Sequence, residues 1–459
     1  MARSPSQMTA APARRDPEQV AAALATIAAN DVRLIDLQFS DIAGGIKALT
    51  IPVNLLETTF SRGYRFDGAA LSGGRRQVEL DLFLAPDPQT LTILTPYEGE
   101  PRRAQIFCWV LRRDGQPFAG DPRSALQRQL ERAADQGYDY SAGIEMEFYL
   151  LRQPEPAYAA PLPATDAAGY FDVGEDELAS TRNEIVDTLA AMGIGIGGAH
   201  HETGPGQQEL DLHPTGGIAI ADQIVTTRQV IRTIAERRNL RATFMPKPFP
   251  DAPGSGMHVF QQIASYPGGE DLLSDANAAD GISDLARRVI AGLLGHAPGM
   301  SVIACTTVNS YKRLDAGHRA PRHASWARVS QASLVRVPSP YESARADIEL
   351  RSPDAVTNPY LLFAATLGAA LNGIADDEEP TPPLDELLVQ YDDDELNRLG
   401  VPLLPTTLGE AIDVFATDDV VRDAVGSYIA DQLIHVKRAE WRAYQSHISP
   451  WEHLRYGDL

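Results

Sequence analysis

The stretch Gly143-Ile-Glu-Met-Glu-Phe-Tyr-Leu150 constrains the fold of this chain more than any other. In a strand, successive side chains point to opposite faces. Glu145, Glu147 and Tyr149 then share one side, while Ile144, Met146 and Phe148 share the other. The apolar side calls for a core. The acidic side holds two carboxylates about 7 Å apart, which repel unless water or a cation lies between them. The segment is therefore expected to be a half-buried strand with one apolar and one acidic face. Taken alone, it reads as a solvated strand face as readily as a site.

Three further clusters change that balance. His200-His201-Glu202 is followed by Gly204-Pro-Gly-Gln-Gln-Glu209, and the Gly-Pro-Gly bend lets Glu202 and Glu209 approach each other. Gly254-Ser-Gly-Met-His258 leads small residues into a strand bearing one histidine. Asp347-Ile-Glu349-Leu-Arg351 places Asp347, Glu349 and Arg351 on one strand face. Each alone is an acidic loop, a core histidine or a solvated strand. Together they offer five glutamates and one imidazole, a donor set that suits Mg²⁺ or Mn²⁺ better than zinc. Arg313, Arg336 and Arg351 add forks that match phosphate and carboxylate. Divalent cations with arginines describe phosphoryl transfer in general terms. No P-loop and no kinase glycine loop occurs, so the chemistry does not come from those folds.

Composition narrows the partners. The 459 residues carry a formal net charge of −22, which argues against nucleic acid or an anionic membrane as partner. No run of about 18 apolar residues occurs, so no membrane span is expected. The two cysteines, Cys108 and Cys305, support neither a disulfide framework nor a thiolate zinc site, and a reducing cytoplasm fits them. Residues 1–16 read as a flexible tail without an apolar leader segment.

Residues 17–115 read as a small α+β domain. It comprises an alanine-rich helix over 17–30, a hairpin over 33–51 turning at Gly44-Gly45, and two strands within 91–111. The Pro- and Gly-bearing stretch 113–123 reads as a linker, and 116–459 as a larger domain mixing strands and helices. Helices are expected over 181–192, with Thr181 and Glu184 as a capping box and Gly193 as terminator, over 283–294 and over 358–371. Residues 376–405 are acidic and Pro-bearing and read as a long surface loop. The chain is helical again from Leu408.

The chain resembles the glutamine synthetase family. The resemblance is carried by Phe66-Asp67-Gly68, Asp81-Leu-Phe-Leu-Ala-Pro-Asp87, Ala242-Thr-Phe-Met-Pro-Lys-Pro, Gly254-Ser-Gly-Met-His258, Asn309-Ser-Tyr-Lys-Arg-Leu and Arg351-Ser-Pro-Asp…Asn358-Pro-Tyr-Leu, in order over roughly residues 33–450. A weaker C-terminal pattern, Glu440-Trp…Tyr444…Trp451-Glu, is similar to the branch containing γ-glutamyl-amine ligases. The regulated bacterial enzymes' tyrosine-bearing adenylylation loop has no counterpart here.

The resemblance implies an α+β fold, with an N-terminal β-grasp-like domain and a catalytic domain built on a curved antiparallel sheet flanked by helices. It implies an ATP-dependent ligase that phosphorylates the γ-carboxylate of glutamate, or a similar acid, for attack by ammonia or an amine. Glu147, Glu202 and Glu209 would hold one cation, and Glu145, His258 and Glu349 another. Arg313 and Gly254 would bind the acid, and Arg336 and Arg351 would neutralise the phosphoryl group. Asp67, from a neighbouring subunit of two stacked hexameric rings, would take the proton from ammonium.

The sequence departs from the family at several places. Arg319, in Gly317-His-Arg319-Ala-Pro321, stands where the family has a glutamate that helps bind ammonium and shields the acyl phosphate. Gln331 stands for a phosphate-contacting arginine, and Pro253 for an asparagine beside the substrate. Phe260, Gln262, Ala344 and Asp347 replace a histidine, a serine and two basic residues of the nucleotide pocket. Arg322, Arg328 and Arg345 are candidates for compensation. Three functions stay open: the ligase, a weakened paralogue serving as metal-binding sensor or assembly protein, and a metal enzyme of other reaction type.

Overall fold

The computed structural model describes residues 16–71, 81–94, 99, 101–152, 166, 168–174, 176–315, 319–338, 346–385 and 391–459. Ala344 and Arg345, and Gly317 and His318 of the Arg319 motif, lie outside the described residues. So do residues 1–15, which hold nearly all of the expected tail.

Asp16 starts the helix Pro17–Ala29 by accepting the Glu18 N–H on its side chain. Two strands follow, β1 (Leu34–Ser40) and β2 (Ile46–Pro52), paired antiparallel as the expected hairpin. Its turn needs Gly44, which has φ +88° and abuts Asn358, where a Cβ would meet that residue at 3.2 Å. Four more strands are β3 (Tyr64–Asp67), β4 (Asp81–Pro86), β5 (Thr92–Ile93) and β6 (Arg103–Leu111). They complete a sheet in the order β2-β1-β6-β4-β3, with β5 also on β6 and only β1 and β6 parallel. Ile35, Leu37, Leu82, Leu84, Ile106 and Cys108 fill its core.

The second sheet comprises β7 (Tyr138–Arg152), β8 (Ile196–His201), β9 (Gln207–Gly216), β10 (Leu240–Thr243), β11 (Met257–Ser265), β12 (Trp326–Ala327), β13 (Val335–Arg336) and β14 (Ile348–Leu350). Its order is β12-β13-β14-β11-β7-β9-β8, with β10 also on β7, and only β12 and β13 are parallel. A register shift between Ala142 and Ile144 marks a bulge, which adds bend to the long central strand.

The alternation expected for β7 is present: Ile144, Met146 and Phe148 are buried with Leu210, Val259 and Ile348, leaving the acidic face opposite. The helices Asp284–Ala304 and Pro359–Ala375 supply much of this core and touch backbone to backbone. A Cβ at Gly292 would lie 2.2 Å from the Ala369 carbonyl oxygen, so only glycine fits there. Among the described residues no helix is long and apolar enough to cross a membrane.

Arg123, on the helix Pro122–Asp135, ties the first sheet to the helix Ala219–Arg237. It is buried, lies 3.9 Å over the Trp109 ring, and reaches Asp87 at 2.9 Å and Asp222 at 2.8 Å.

Local expectations fail in two places. The expected capping box at Thr181 does not form. The helix begins at Ala179, after a buried Leu178 with no side-chain cap, so Thr181 falls inside the first turn. Nor is 376–405 simply a surface loop. Leu396 and Val401 bury against Leu384, Tyr391 and Ala332, and Asp392 with Glu395 caps a short helix, Asp393–Arg398.

Candidate active site

Strand register assembles the acidic face. β7 pairs with β11 so that Glu145 lies opposite His258, and with β9 so that Glu147 lies opposite Glu209. β8 brings His200 opposite Glu209 from the far side. β14 pairs with both β11 and β13, placing Glu349 opposite Phe260 and Arg336. Side chains distant in sequence thus meet because each points to the same face of the sheet, opposite the apolar core.

Two groups of donor atoms result. Glu145, His258 and Glu349 form one, their ligand atoms all within 4.8 Å of one another. Nδ1 of His258 is 3.1 Å from Glu145 and 3.9 Å from Glu349. His200, Glu202 and Glu209 form the other on the same distance criterion of 4.8 Å. Glu147 lies beside both, opposite Glu209 in register, with one oxygen 4.0 Å from His258 Nε2 and the other accepting the Gly256 N–H at 2.9 Å.

All six residues expected as cation ligands therefore lie on one face. His200 and Asp211 join them unforeseen: Asp211 falls within 4.8 Å of Glu145 and Glu209. The alternation that exposes Glu145 and Glu147 also pairs Glu209 with Asp211, so the signal was present in the sequence.

The electrostatics fit a cation. Burial raises the carboxyls of Glu145 and Glu147 above the usual range, although Arg351 pulls the first down and Arg313 the second. Burial, with the charges of Glu147 and Glu145, pushes Glu209 up to about 8 against the hydrogen bond from His200. Burial opposes charge on His200, but its 3.1 Å contact with Glu209 prevails and holds the imidazole at about 9. Glu145, Glu147 and Glu209 are all raised, because burial on this face leaves more negative charge than it solvates. A divalent cation would supply the missing charge, and oxygen donors with one or two imidazoles suit it.

The arginines divide. Arg336 donates to Oε2 of the fully buried Glu349 at 2.8 Å, and Arg351 to Oε1. Arg351 also donates to the Gln331 backbone oxygen at 2.9 Å, while the Gln331 side chain is exposed. Arg313, expected to grip the acid, is buried and donates to the carbonyls of Arg351, Ser352 and Pro353. Gly254 makes room for it, since a Cβ there would lie 2.7 Å from Arg313 Cγ. Along β11, Phe260 is half-buried and Gln262 donates to Asp347 at 2.7 Å. Tyr149 donates to the Pro253 carbonyl at 2.8 Å.

Arg319 is exposed, and its charge opposes those of Glu202, Glu209 and Glu145 at the Tyr170 hydroxyl. Tyr170 and Phe171 pack edge-on against His200. Asp67 is not part of this face. It ends the edge strand β3 of the other sheet, exposed, with Oδ1 accepting the Ala69 N–H.

Comparison with known proteins agrees with this architecture. Residues 31–113 match the glutamine synthetase β-grasp domain, and residues 119–456 the glutamine synthetase catalytic domain. The chain is 38% identical to the glutamine synthetase of Halobacterium salinarum over 438 residues, covering 95% of this chain and 96% of that protein. It is 36% identical to that of Mycolicibacterium smegmatis, covering 95% and 98%. The GmaS/ADP complex (conformation 1) superposes with a TM-score of 0.85 at 28% identity, over 95% of this chain and 99% of that one. Apo GmaS without ligand gives 0.83 at 30% identity over the same shares. The chain belongs to the glutamine synthetase family. Its scaffold is accordingly that of a ligase using ATP and divalent metal ions.

Proposed function

We propose that this chain is an ATP-dependent ligase that joins the γ-carboxylate of glutamate, or a similar acid, to an amine through an acyl phosphate. The observation that carries the reading is the meeting of six cation-ligand candidates with Arg336 and Arg351 on one sheet face. Glu147, Glu202 and Glu209 would hold one Mg²⁺ or Mn²⁺, and Glu145, His258 and Glu349 the other. Bound there, such ions supply the positive charge that phosphoryl transfer requires. Arg336 and Arg351, already oriented by Glu349, would face the transferring phosphoryl group. Gly254 and Arg313 would border the acid. Two buried free thiols suit a reducing cytoplasm.

Arg319 bears on the acceptor. A guanidinium offers a fork to an anion and nothing to a cation, so it disfavours free ammonium and favours an amine bearing its own carboxylate. The test is phosphate release from ATP with glutamate, Mg²⁺ or Mn²⁺, and a panel of ammonium, neutral amines and amino acids. Arg319→Glu is expected to raise ammonium turnover and to lower use of an anionic amine. Vigorous ammonium turnover by the unaltered protein, unchanged or reduced by Arg319→Glu, would overturn the acceptor assignment.

A second reading, a weakened paralogue that binds metal as a sensor or assembly protein, is favoured by one feature. Gln331 and Asp347 leave the nucleotide side short of basic groups, and Asp347 is engaged by Gln262. Titration with ATP in the presence of Mn²⁺ separates the two: failure to bind nucleotide favours the second.

A further inference from the structure

We propose that Gln207 is a positioning residue that joins the cation half of this site to the segment carrying Gly254, so that cation and acid substrate bind cooperatively. The inference rests on the ligase reading above and names a device within that site.

Gln207 is 1% exposed and sits where the Glu202 turn enters β9. Its amide Nε2 donates to Glu147 Oε2 at 3.3 Å and to the Gly254 carbonyl at 2.9 Å. Its Oε1 accepts the Gly204 N–H at 3.0 Å. The orientation of the amide is determined by these partners. Turned over, it would set an oxygen against a carboxylate and a carbonyl, and an amino group against an N–H. Its backbone closes the turn as well: the Gln207 carbonyl accepts the Glu202 N–H at 2.9 Å, and its N–H donates to Gly204 O at 2.8 Å. One side chain thus touches Glu147, the turn that presents Glu202, and the Gly254 carbonyl.

The segment on the other side is strapped at successive carbonyls. Lys247 Nζ holds Ala252 at 2.6 Å, Tyr149 holds Pro253 at 2.8 Å, and Gln207 holds Gly254. Asn309 in turn clamps the Lys247 backbone, accepting at 2.7 Å and donating at 3.0 Å. Of these anchors only Gln207 also donates to a carboxylate of the cation group. A cation held by Glu147 would fix that carboxylate in place, and with it the amide whose second hydrogen meets Gly254. Ordering of the Gly254 segment holds the same amide toward Glu147. Coupling of this kind is reciprocal: the factor by which the acid tightens the cation equals the factor by which the cation tightens the acid.

The experiment is calorimetric titration of the full-length protein with Mn²⁺, with and without glutamate, for the unaltered chain, Gln207→Met and Gln129→Met. Methionine matches glutamine in length and lacks its donors. Gln207→Met is expected to weaken Mn²⁺ binding by about 10–100-fold and to abolish its tightening by glutamate. Gln129, on the helix Pro122–Asp135, is buried, donates to the Ala424 carbonyl at 3.1 Å and shares no partner with Gln207. Gln129→Met is expected to lower the melting temperature yet leave Mn²⁺ affinity within about twofold. Gln207→Asn keeps the amide but is one methylene short of both acceptors. It is expected to show the same two losses and serves if Gln207→Met does not fold. The proposal is overturned if a cooperatively melting Gln207 variant binds Mn²⁺ within about twofold of the unaltered protein and responds equally to glutamate. Absence of Mn²⁺ binding by the unaltered protein would instead defeat the metal reading, and this proposal with it.

Discussion

Glu349 stands between the proposed cation ligands and the two arginines proposed to face the phosphoryl group. It is fully buried, 3.9 Å from His258, and takes one arginine on each oxygen. Glu349→Gln leaves two guanidinium groups without a counter-charge in a dry setting, which costs about 3–5 kcal/mol. Denaturant unfolding reads that loss, and turnover is expected to fall about 10–100-fold alongside it. Unchanged stability would mean that the arginines find other partners. Sequence exposed Glu145 and Glu147 readily, because two carboxylates at the solvent phase of one strand break an apolar pattern. Asp211 obeys the same rule and went unseen only because its strand begins in a Gly-Pro-Gly turn that obscures the phase. Gln207 gave no signal. A glutamine after a turn looks solvated, and its acceptors on Glu147 and Gly254 lie more than forty residues away in either direction. The resemblance pointed Arg313 at the substrate, but its three carbonyl partners depend on the Arg351–Pro353 backbone and are invisible in sequence.

Between elements, polar clamps fix the packing that apolar faces only approximate. His296, on the helix Asp284–Ala304, contacts Asp418 at 3.0 Å and Asn372 at 2.8 Å, tying that helix to two others. The bond to Asp418 raises the imidazole pKa above its ordinary 6.5, against partial burial. A raised folded-state value means that the stabilisation is complete below about 6.5 and is lost as pH rises through the folded value. His296→Ala is therefore expected to cost about 1 kcal/mol at pH 6, modest because the pair is partly solvated, and clearly less at pH 9. Equal losses at both values in urea unfolding would show that His296 acts by packing alone. The long periodic helices were legible because their apolar stripes persist over several turns. The capping box at Thr181 misled because Leu178, by burying, draws the helix start back to Ala179. Tertiary burial outweighs a cap worth about 1 kcal/mol.

For the whole molecule, Asp67, which the family resemblance offers as proton acceptor, lies on the first sheet and the acidic face on the second. Asp67 ends edge strand β3 and is exposed, outside the acidic face of its own chain. Apolar side chains stand exposed near the C-terminus, among them Ile448 at 65%, Trp451 at 62% and Leu454 at 89%, as expected of a surface that another subunit covers. The ring assembly implied by the family resemblance would set Asp67 of one subunit against the cation face of the next. Subunit complementation tests this directly. Asp67→Ala leaves the cation face whole but removes the group given to a neighbour, while Glu147→Ala does the reverse. Each variant alone is expected to be nearly inactive. Mixed by co-expression in equal amounts, they restore whole sites wherever an Asp67→Ala subunit receives its partner group from a Glu147→Ala subunit, at roughly a quarter of positions in a cyclic assembly. Phosphate-release activity near that fraction, in a species whose mass by light scattering exceeds one chain, is the expected result. Two inactive variants that stay inactive when co-assembled would place Asp67 within its own subunit's site or outside catalysis. A strictly monomeric, fully active protein would remove the shared site altogether.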